Sequence, residues 1–267
     1  MVSKSYNPSL RLLLLSDVHS NLEALEACLR EAPPSDEIVH LGDIVGYGAS
    51  PNEVSSRVRE LGGTYVRGNH DKVVSGLDAI ETFNPVAGLA AIWNREHLAP
   101  DLLSWLRELP KGPVTVPKLE DAWFVHGAPD DEDRYVVSIE DSLPTLTEAT
   151  RRVTFFGHTH VQGLFAGRSH SAENLYPEYP SIGNRDTWEF LLQPGFTYMI
   201  NPGSVGQPRD GDWRSAFAVF DTDLSKVTFF RVPYNVRGAQ ERIFAANLPA
   251  RLATRLAAGR STNAASS

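Results

Sequence analysis

The sequence predicts an α/β fold built on a parallel sheet with helical crossovers. Two observations carry this. Residues 10–67 alternate short apolar runs with amphipathic segments in the order βαβαβ, which demands parallel strands joined by helices. The composition, 42% hydrophobic and 22% charged over 267 residues, is that of a globular chain able to build a large core. This length is long for one simple domain and short for two, so a single layered domain with an insertion is expected over residues 1–260.

Leu10–Ser16 is an apolar run ending in polar residues and reads as a buried strand. Asn21–Glu31 is an amphipathic helix that stops before Pro33 and Pro34. Glu37–Leu41 is the second strand. Pro51–Leu61 is the second helix, with proline at its start and Gly62-Gly63 beyond its end. Thr64–Arg67 is the third strand. Ile80–Leu109 then breaks the rhythm. It carries Phe83, Trp93 and Trp105 between Pro85, Pro100 and Pro110, and reads as a helical insertion spanning about 78–112 that overhangs the strand ends. Strands are expected at Val114–Val116, Ala122–His126, Val153–Phe156, Phe196–Ile200, Ala216–Asp221 and Lys226–Val232, with a helix at Ile139–Thr150. Ala239–Ala258 reads as a helical tail interrupted by Pro249, and the small polar segment 261–267 as a disordered end.

The formal charge is −8, from 25 Lys and Arg against 33 Asp and Glu. No Lys/Arg run exists to follow a nucleic-acid backbone, so duplex nucleic acid is not an expected partner. Cys28 is the single cysteine, which excludes an intramolecular disulfide; its place among Leu22, Leu25 and Leu29 makes it a core residue. Leu12–Leu15 is too short for a signal-peptide core and nothing approaches the ~20 apolar residues of a membrane span, so a cytoplasmic location is expected. The oligomeric state is not readable. No Gly-rich loop with Lys and no nucleophile elbow is present, against P-loop enzymes and serine hydrolases.

Five of eight histidines, His19, His70, His126, His158 and His160, each follow an expected strand by a few residues. Ligands of open α/β sheets bind at the carboxyl ends of strands. Carboxylates and an amide arrive beside them: Asp17 with His19, Asp43 after the second strand, Asn69 next to His70. Asp17 and His19, like His158 and His160, are two apart on extended chain and face the same way. Nitrogen and oxygen donors without sulfur suit Mn, Fe, Co, Ni or Zn. The set is too large for one ion, and a carboxylate bridging two metals accounts for the surplus.

In order, Ser16-Asp17-Val18-His19, Gly42-Asp43, Gly68-Asn69-His70-Asp71, His126-Gly127 and Gly157-His158-Thr159-His160 resemble the motifs of the calcineurin-like metallophosphoesterases. The text around Gly42–Gly48 and Asn201–Asp212 is similar to the small bacterial phosphodiesterase-type branch. The resemblance implies a four-layer sandwich, two mixed β-sheets flanked by helices. It implies that Asp17, His19 and His160 hold one metal, that Asn69, His126 and His158 hold a second, and that Asp43 bridges them. His70 matches the family's catalytic histidine. The activity implied is hydrolysis of a small phosphodiester, nucleotide or phosphomonoester. A metal-bridging hydroxide would attack phosphorus between cations about 3.5–4 Å apart, with His70 donating a proton to the leaving group.

One departure concerns Gly46 and Tyr47, which stand where the protein-phosphatase branch has Asp and Arg. His70 thereby loses an expected carboxylate partner and the phosphate an expected clamp. Arg209 is a candidate replacement clamp, Tyr47 a candidate substrate contact, and Asn21 a helix cap that also points toward the phosphate. His40 is expected to pack in the sheet or buttress Asp43, His97 and His170 to lie at the surface, and Asp130–Asp133 to be a solvated loop at the pocket rim. The alternative reading, a non-catalytic scaffold of the same fold, tolerates loss of ligands; here all seven, and His70, are present.

Overall fold

The computed structural model describes residues 9–260 apart from 149, 170 and 182, so His170 and the segment 261–267 lie outside the described residues. In chain order the described residues form β1 (Arg11–Leu15), α1 (Leu22–Glu31), β2 (Glu37–His40), α2 (Pro51–Leu61), β3 (Thr64–Tyr65), α3 (Asn69–Ser75), α4 (Pro85–His97), α5 (Pro100–Arg107), β4 (Val114–Val116) and β5 (Leu119–Phe124). They continue with α6 (Ile139–Glu148), β6 (Val153–Phe155), β7 (Gly163–Arg168), β8 (Ser171–Leu175), β9 (Asp186–Leu191), β10 (Thr197–Asn201), β11 (Ser215–Asp221), β12 (Lys226–Val232), α7 (Val236–Ala245) and α8 (Ala250–Ala258).

Two mixed six-stranded sheets result, ordered β3-β2-β1-β11-β12-β9 and β4-β5-β6-β10-β7-β8. The βαβαβ start folds as expected: β1, β2 and β3 are parallel. The late strands join antiparallel, β11 pairing β1 on one side and β12 on the other. β1 shows why its sequence is continuously apolar. Leu12 and Leu14 enter the core between the sheets with Phe124, Phe155, Ile200 and Phe229. Leu13 and Leu15 enter a second core beneath α1, α7 and α8, with Leu25, Cys28, Ile243 and Leu252. A strand covered on both faces has no polar side to show. A third cluster, Val125, Leu146, Phe156 and Met199, seats α6 on the outer face of the other sheet. These are the four layers.

Three strands, β7 to β9, and helix α3 are absent from the sequence reading. Gly163 and Gly167 dilute β7. β8 and β9 end their sheets and are largely exposed, so burial imprints little on them. Among the described residues, no helix is long and apolar enough to cross a membrane.

Cys28 is fully buried beside Ser215 (Sγ–Oγ 2.8 Å), and burial pushes its thiol up to about 12. His40 packs flat on Tyr65 and shares a 3.2 Å hydrogen bond with the Gly62 carbonyl, so it belongs to the sheet and does not touch Asp43. His97 is exposed and lies on Trp93.

Candidate metal centre

Strand ends and the turns after them bring the predicted ligands together. Asp17, His19, Asp43 and His160 form one buried group, and Asp43, His126 and His158 a second; within each, the donor atoms lie within 4.8 Å of one another. Asp43 belongs to both: its Oδ2 is 3.5 Å from His19 Nε2 and 3.5 Å from His126 Nε2. Asn69 reaches the second group, with Oδ1 3.2 Å from His126 Nε2. Presenting so many side chains inward bends the backbone sharply. Asp17 (φ 53°), His19 (50°), Asp43 (55°), His158 (67°) and His160 (60°) all occupy the left-handed region. Such conformations cost of order 1–3 kcal/mol each for residues other than glycine and persist where the surroundings enforce them, typically at functional sites.

Each imidazole is oriented by the nitrogen that faces away from the centre. His19 Nδ1 donates to Val45 O (3.1 Å), His126 Nδ1 to Leu41 O (2.7 Å), His160 Nδ1 to Gln207 O (2.7 Å), and His158 Nε2 to Asp133 O (3.0 Å). A carbonyl only accepts, so in each neutral ring these bonds set the tautomer and leave the inward nitrogen as a lone pair. The inward nitrogens then meet in pairs: His19 Nε2 to His160 Nε2 at 3.0 Å, and His126 Nε2 to His158 Nδ1 at 3.1 Å. Two lone pairs at that distance repel unless positive charge lies between them. Burial holds His19 and His160 well below the ordinary histidine range and His158 at about 3, the neutral form a ligand needs. His126 behaves oppositely. Burial disfavours its charge, but the Asp43 and Asp17 carboxylates outweigh that and push it up to about 10. Burial would likewise raise Asp43, yet His126, His70 and His19 hold it well below the carboxylate range. The donor set fits divalent metal, and these backbone bonds are the outer contacts that orient metal-binding histidines.

His70 lies beside these groups. Its N–H donates to Asp43 Oδ1 (2.8 Å), and its ring meets Tyr47 at 4.3 Å and Phe83 at 4.4 Å between centroids. Its Nδ1 is buried without a hydrogen-bond partner. Gly46 packs directly against it: at φ 93°, any Cβ there would collide with His70 Nδ1. Burial lowers His70 to about 4.

Arg209 reaches toward the site. Its Nη2 lies 3.4 Å from Tyr47 Oη and 3.3 Å from Gln207 Oε1, and its backbone N–H donates to His160 O. Asn21 makes its hydrogen bonds within the chain. Its oxygen caps α1 at Ala24 N and its NH₂ donates to Gly206 O (2.8 Å), so it braces the Asp17–His19 turn. The acidic run is a largely exposed loop, as expected at Asp130, Asp131 and Asp133. Within it Glu132 is gripped by Arg67 and Lys72, Asp133 by Lys72, and the Asp133 carbonyl holds His158. In the helical insertion, Trp93 and Trp105 pack against the core and Phe83 lies against His70.

Two positioning residues had no role in the sequence reading. The Asp71 carboxylate accepts from the N–H groups of Asp43, Ile44 and Gly68 (each 2.9 Å) and Val45 (3.2 Å). It belongs to the Gly68–Asp71 motif, which was the available signal. Asn94, fully buried in α4, accepts from Ser20 Oγ and Gly46 N and donates to Gly48 O. Nothing local distinguishes it from a solvated helix residue.

The family model for the calcineurin-like phosphoesterase superfamily domain matches residues 10–225. An uncharacterised protein of Methanocaldococcus jannaschii is 33% identical over 249 residues, 92% of this chain and 97% of that one. The crystal structure of a metallophosphoesterase from Sphaerobacter thermophilus superposes with a TM-score of 0.80 at 38% identity, covering 93% of this chain and 99% of that one. A hypothetical protein from Pyrococcus horikoshii shares the fold at a TM-score of 0.74 and 19% identity, over 94% and 99% of the two chains.

Proposed function

The chain belongs to the calcineurin-like phosphoesterase superfamily and is a metal-dependent hydrolase of phosphate esters; we propose that it works through two metal ions on a small phosphodiester, nucleotide or phosphomonoester. The observation that carries the reading is the Asp43 carboxylate oxygen, equidistant at 3.5 Å from a histidine of each ligand group. Asp17, His19 and His160 would hold one ion, Asn69, His126 and His158 the other, and Asp43 both. Oxygen and imidazole donors admit Mn, Fe, Co, Ni or Zn. Such a pair, when bound, supplies an activated water near neutral pH and neutralises charge on the phosphoryl oxygens.

The chain's own residues supply the rest. His70, anchored through its backbone to Asp43, places its imidazole beside the centre to hydrogen-bond the leaving oxygen; the negative charge of a bound phosphate ester would favour its charged form against burial and let it pass that oxygen a proton. Arg209 offers the guanidinium that clamps a phosphoryl oxygen, and Tyr47 holds that guanidinium from the side. Phe83 and Tyr47 close around His70 and keep water from its far edge. The absent carboxylate at Gly46 leaves His70 oriented by packing alone.

The test is hydrolysis of bis-p-nitrophenyl phosphate and p-nitrophenyl phosphate with Mn²⁺, comparing wild type with Asp43→Asn. Metal-dependent turnover that the substitution abolishes supports the two-metal reading, and the faster ester assigns diesterase or monoesterase. Folded wild-type protein that turns over neither ester with any divalent metal would return the scaffold reading.

A further inference from the structure

Buried arginines in this protein are otherwise matched with acids. Arg214 is held by Asp212 and Asp186, and Arg231 by Asp210. Two guanidiniums at the edge of the metal centre break this pattern. Arg255, on α8, is 6% exposed, and its Nε has no hydrogen-bond partner. Its Nη1 donates to Gln207 Oε1 at 3.2 Å, the neutral oxygen that Arg209 Nη2 approaches at 3.3 Å. Both guanidiniums also lie against the Tyr47 ring, at 5.5 Å for Arg255 and 5.8 Å for Arg209. Arg209 Nε, too, is buried without a partner. Among the described residues, no carboxylate comes within ion-pair distance of either. Burial lowers the Arg255 pKa, as do the like charges of Arg209 and Arg251, against a raising contribution from Tyr47, whereas Tyr47, Tyr135 and Asp17 outweigh burial and raise Arg209.

Burying a charge without a partner is costly, and such groups are retained where a partner arrives from elsewhere. Two arginines converging on one side-chain oxygen present forked N–H groups suited to phosphoryl oxygens. The side chain they share belongs to the residue whose carbonyl orients His160, so the pair is tied to the metal centre. We propose that Arg255, next to the Arg209 clamp, forms an anion subsite beside the metals that takes a second phosphoryl group of the substrate, Arg209 lying between it and the ester being cleaved. This deepens the phosphoesterase reading and rests on it for the identity of the cleaved bond. Arg255 lies beyond the family-model match at residues 10–225, so the C-terminal helical hairpin contributes this half of the subsite while Arg209 and Gln207 come from within the match.

The experiment uses two chromogenic diesters with the same scissile bond, the p-nitrophenyl ester of thymidine 5′-phosphate and its 3′-phosphorylated form. Wild type, Arg255→Lys and Arg255→Met are assayed with Mn²⁺. The wild type should prefer the 3′-phosphorylated ester in kcat/KM by roughly tenfold or more, the scale of one charge-assisted contact. That preference should fall toward unity in Arg255→Met and be partly kept in Arg255→Lys. An equal preference in wild type and Arg255→Met overturns the subsite, because a merely structural arginine slows both esters alike. Titration calorimetry of inorganic pyrophosphate into the metal-free protein, at fixed ionic strength, reads the subsite without turnover. Weaker binding by Arg255→Met supports it, and equal affinity overturns it even if neither ester is cleaved. Failure of the phosphoesterase reading would appear separately, as absent turnover of both esters.

Discussion

Replacing Asp71 with Asn should destabilise the protein severely while adding or removing no bulk. The Asp71 carboxylate is fully buried; Oδ1 accepts from Ile44 and Val45, and Oδ2 from Asp43 and Gly68. An asparagine amide has one acceptor and one donor end. Whichever way it turns, two backbone N–H groups face an NH₂ in place of an oxygen. Each buried donor left unsatisfied costs about 1–3 kcal/mol, so the loss is about 2–6 kcal/mol. At ~2–4 °C per kcal/mol for a domain of this size, Tm should fall by about 4–24 °C. Thermal unfolding of the metal-free protein followed by circular dichroism measures this without a metal contribution. Because one of the four donors is the Asp43 N–H itself, metal retention on a desalting column should weaken in parallel. A Tm within about 2 °C of wild type would show that the four bonds do not hold the Asp43 turn, since even one lost acceptor exceeds that shift.

His40 supplies a pH-dependent prediction away from the metal ligands. Burial lowers it to about 4 from 6.5. A depressed folded pKa contributes stability present above pH 6.5 and lost as pH falls through 4, about 3 kcal/mol at full extent. Urea denaturation at pH 7 and pH 4 should therefore show a smaller acid loss for His40→Phe, which keeps the stack on Tyr65; equal losses in both proteins would refute the assignment. Gly46→Ala, whose Cβ would strike His70 at a positive φ, should displace the imidazole and lower kcat by roughly a hundredfold, the scale of an ångström misplacement, with metal content measured by atomic emission unchanged. Unaltered kcat would mean that His70 has no positional role. Glu132→Gln, which weakens the clasp from Arg67 and Lys72 behind His158, should lower metal affinity by about tenfold, as loss of outer contacts to ligands does; chelator competition reads the change.

The candidate centre was legible because its residues sit where local pattern changes abruptly. Short apolar runs end in Asp17, Asp43, His126 and His158, and strand ends are where an α/β sheet offers space. A strand buried on both faces, such as β1, writes itself as unbroken leucine, so the parallel start could be read without coordinates, whereas the two-sheet architecture came only through the family resemblance. β8 and β9 could not, since exposed terminal strands place few demands on their residues. Nor could the partners that give the ligands their chemistry. The four carbonyls that set the histidine tautomers belong to Leu41, Val45, Asp133 and Gln207, and a backbone carbonyl carries no side-chain signature. Asn94 and Arg255 read as ordinary helix residues, and Asp130–Asp133 as an ordinary acidic loop. Their roles arise only when α4, α8 and the loop after β5 close on the centre, bringing together groups as far apart in sequence as Tyr47 and Arg255. Sequence alone determined which side chains can bind metal and at which strand ends they emerge. The tertiary structure decided which nitrogen of each histidine faces inward, which carboxylate is shared, and which arginines are left without an acid, because hydrogen bonding and burial are set by neighbours that meet only in the folded chain.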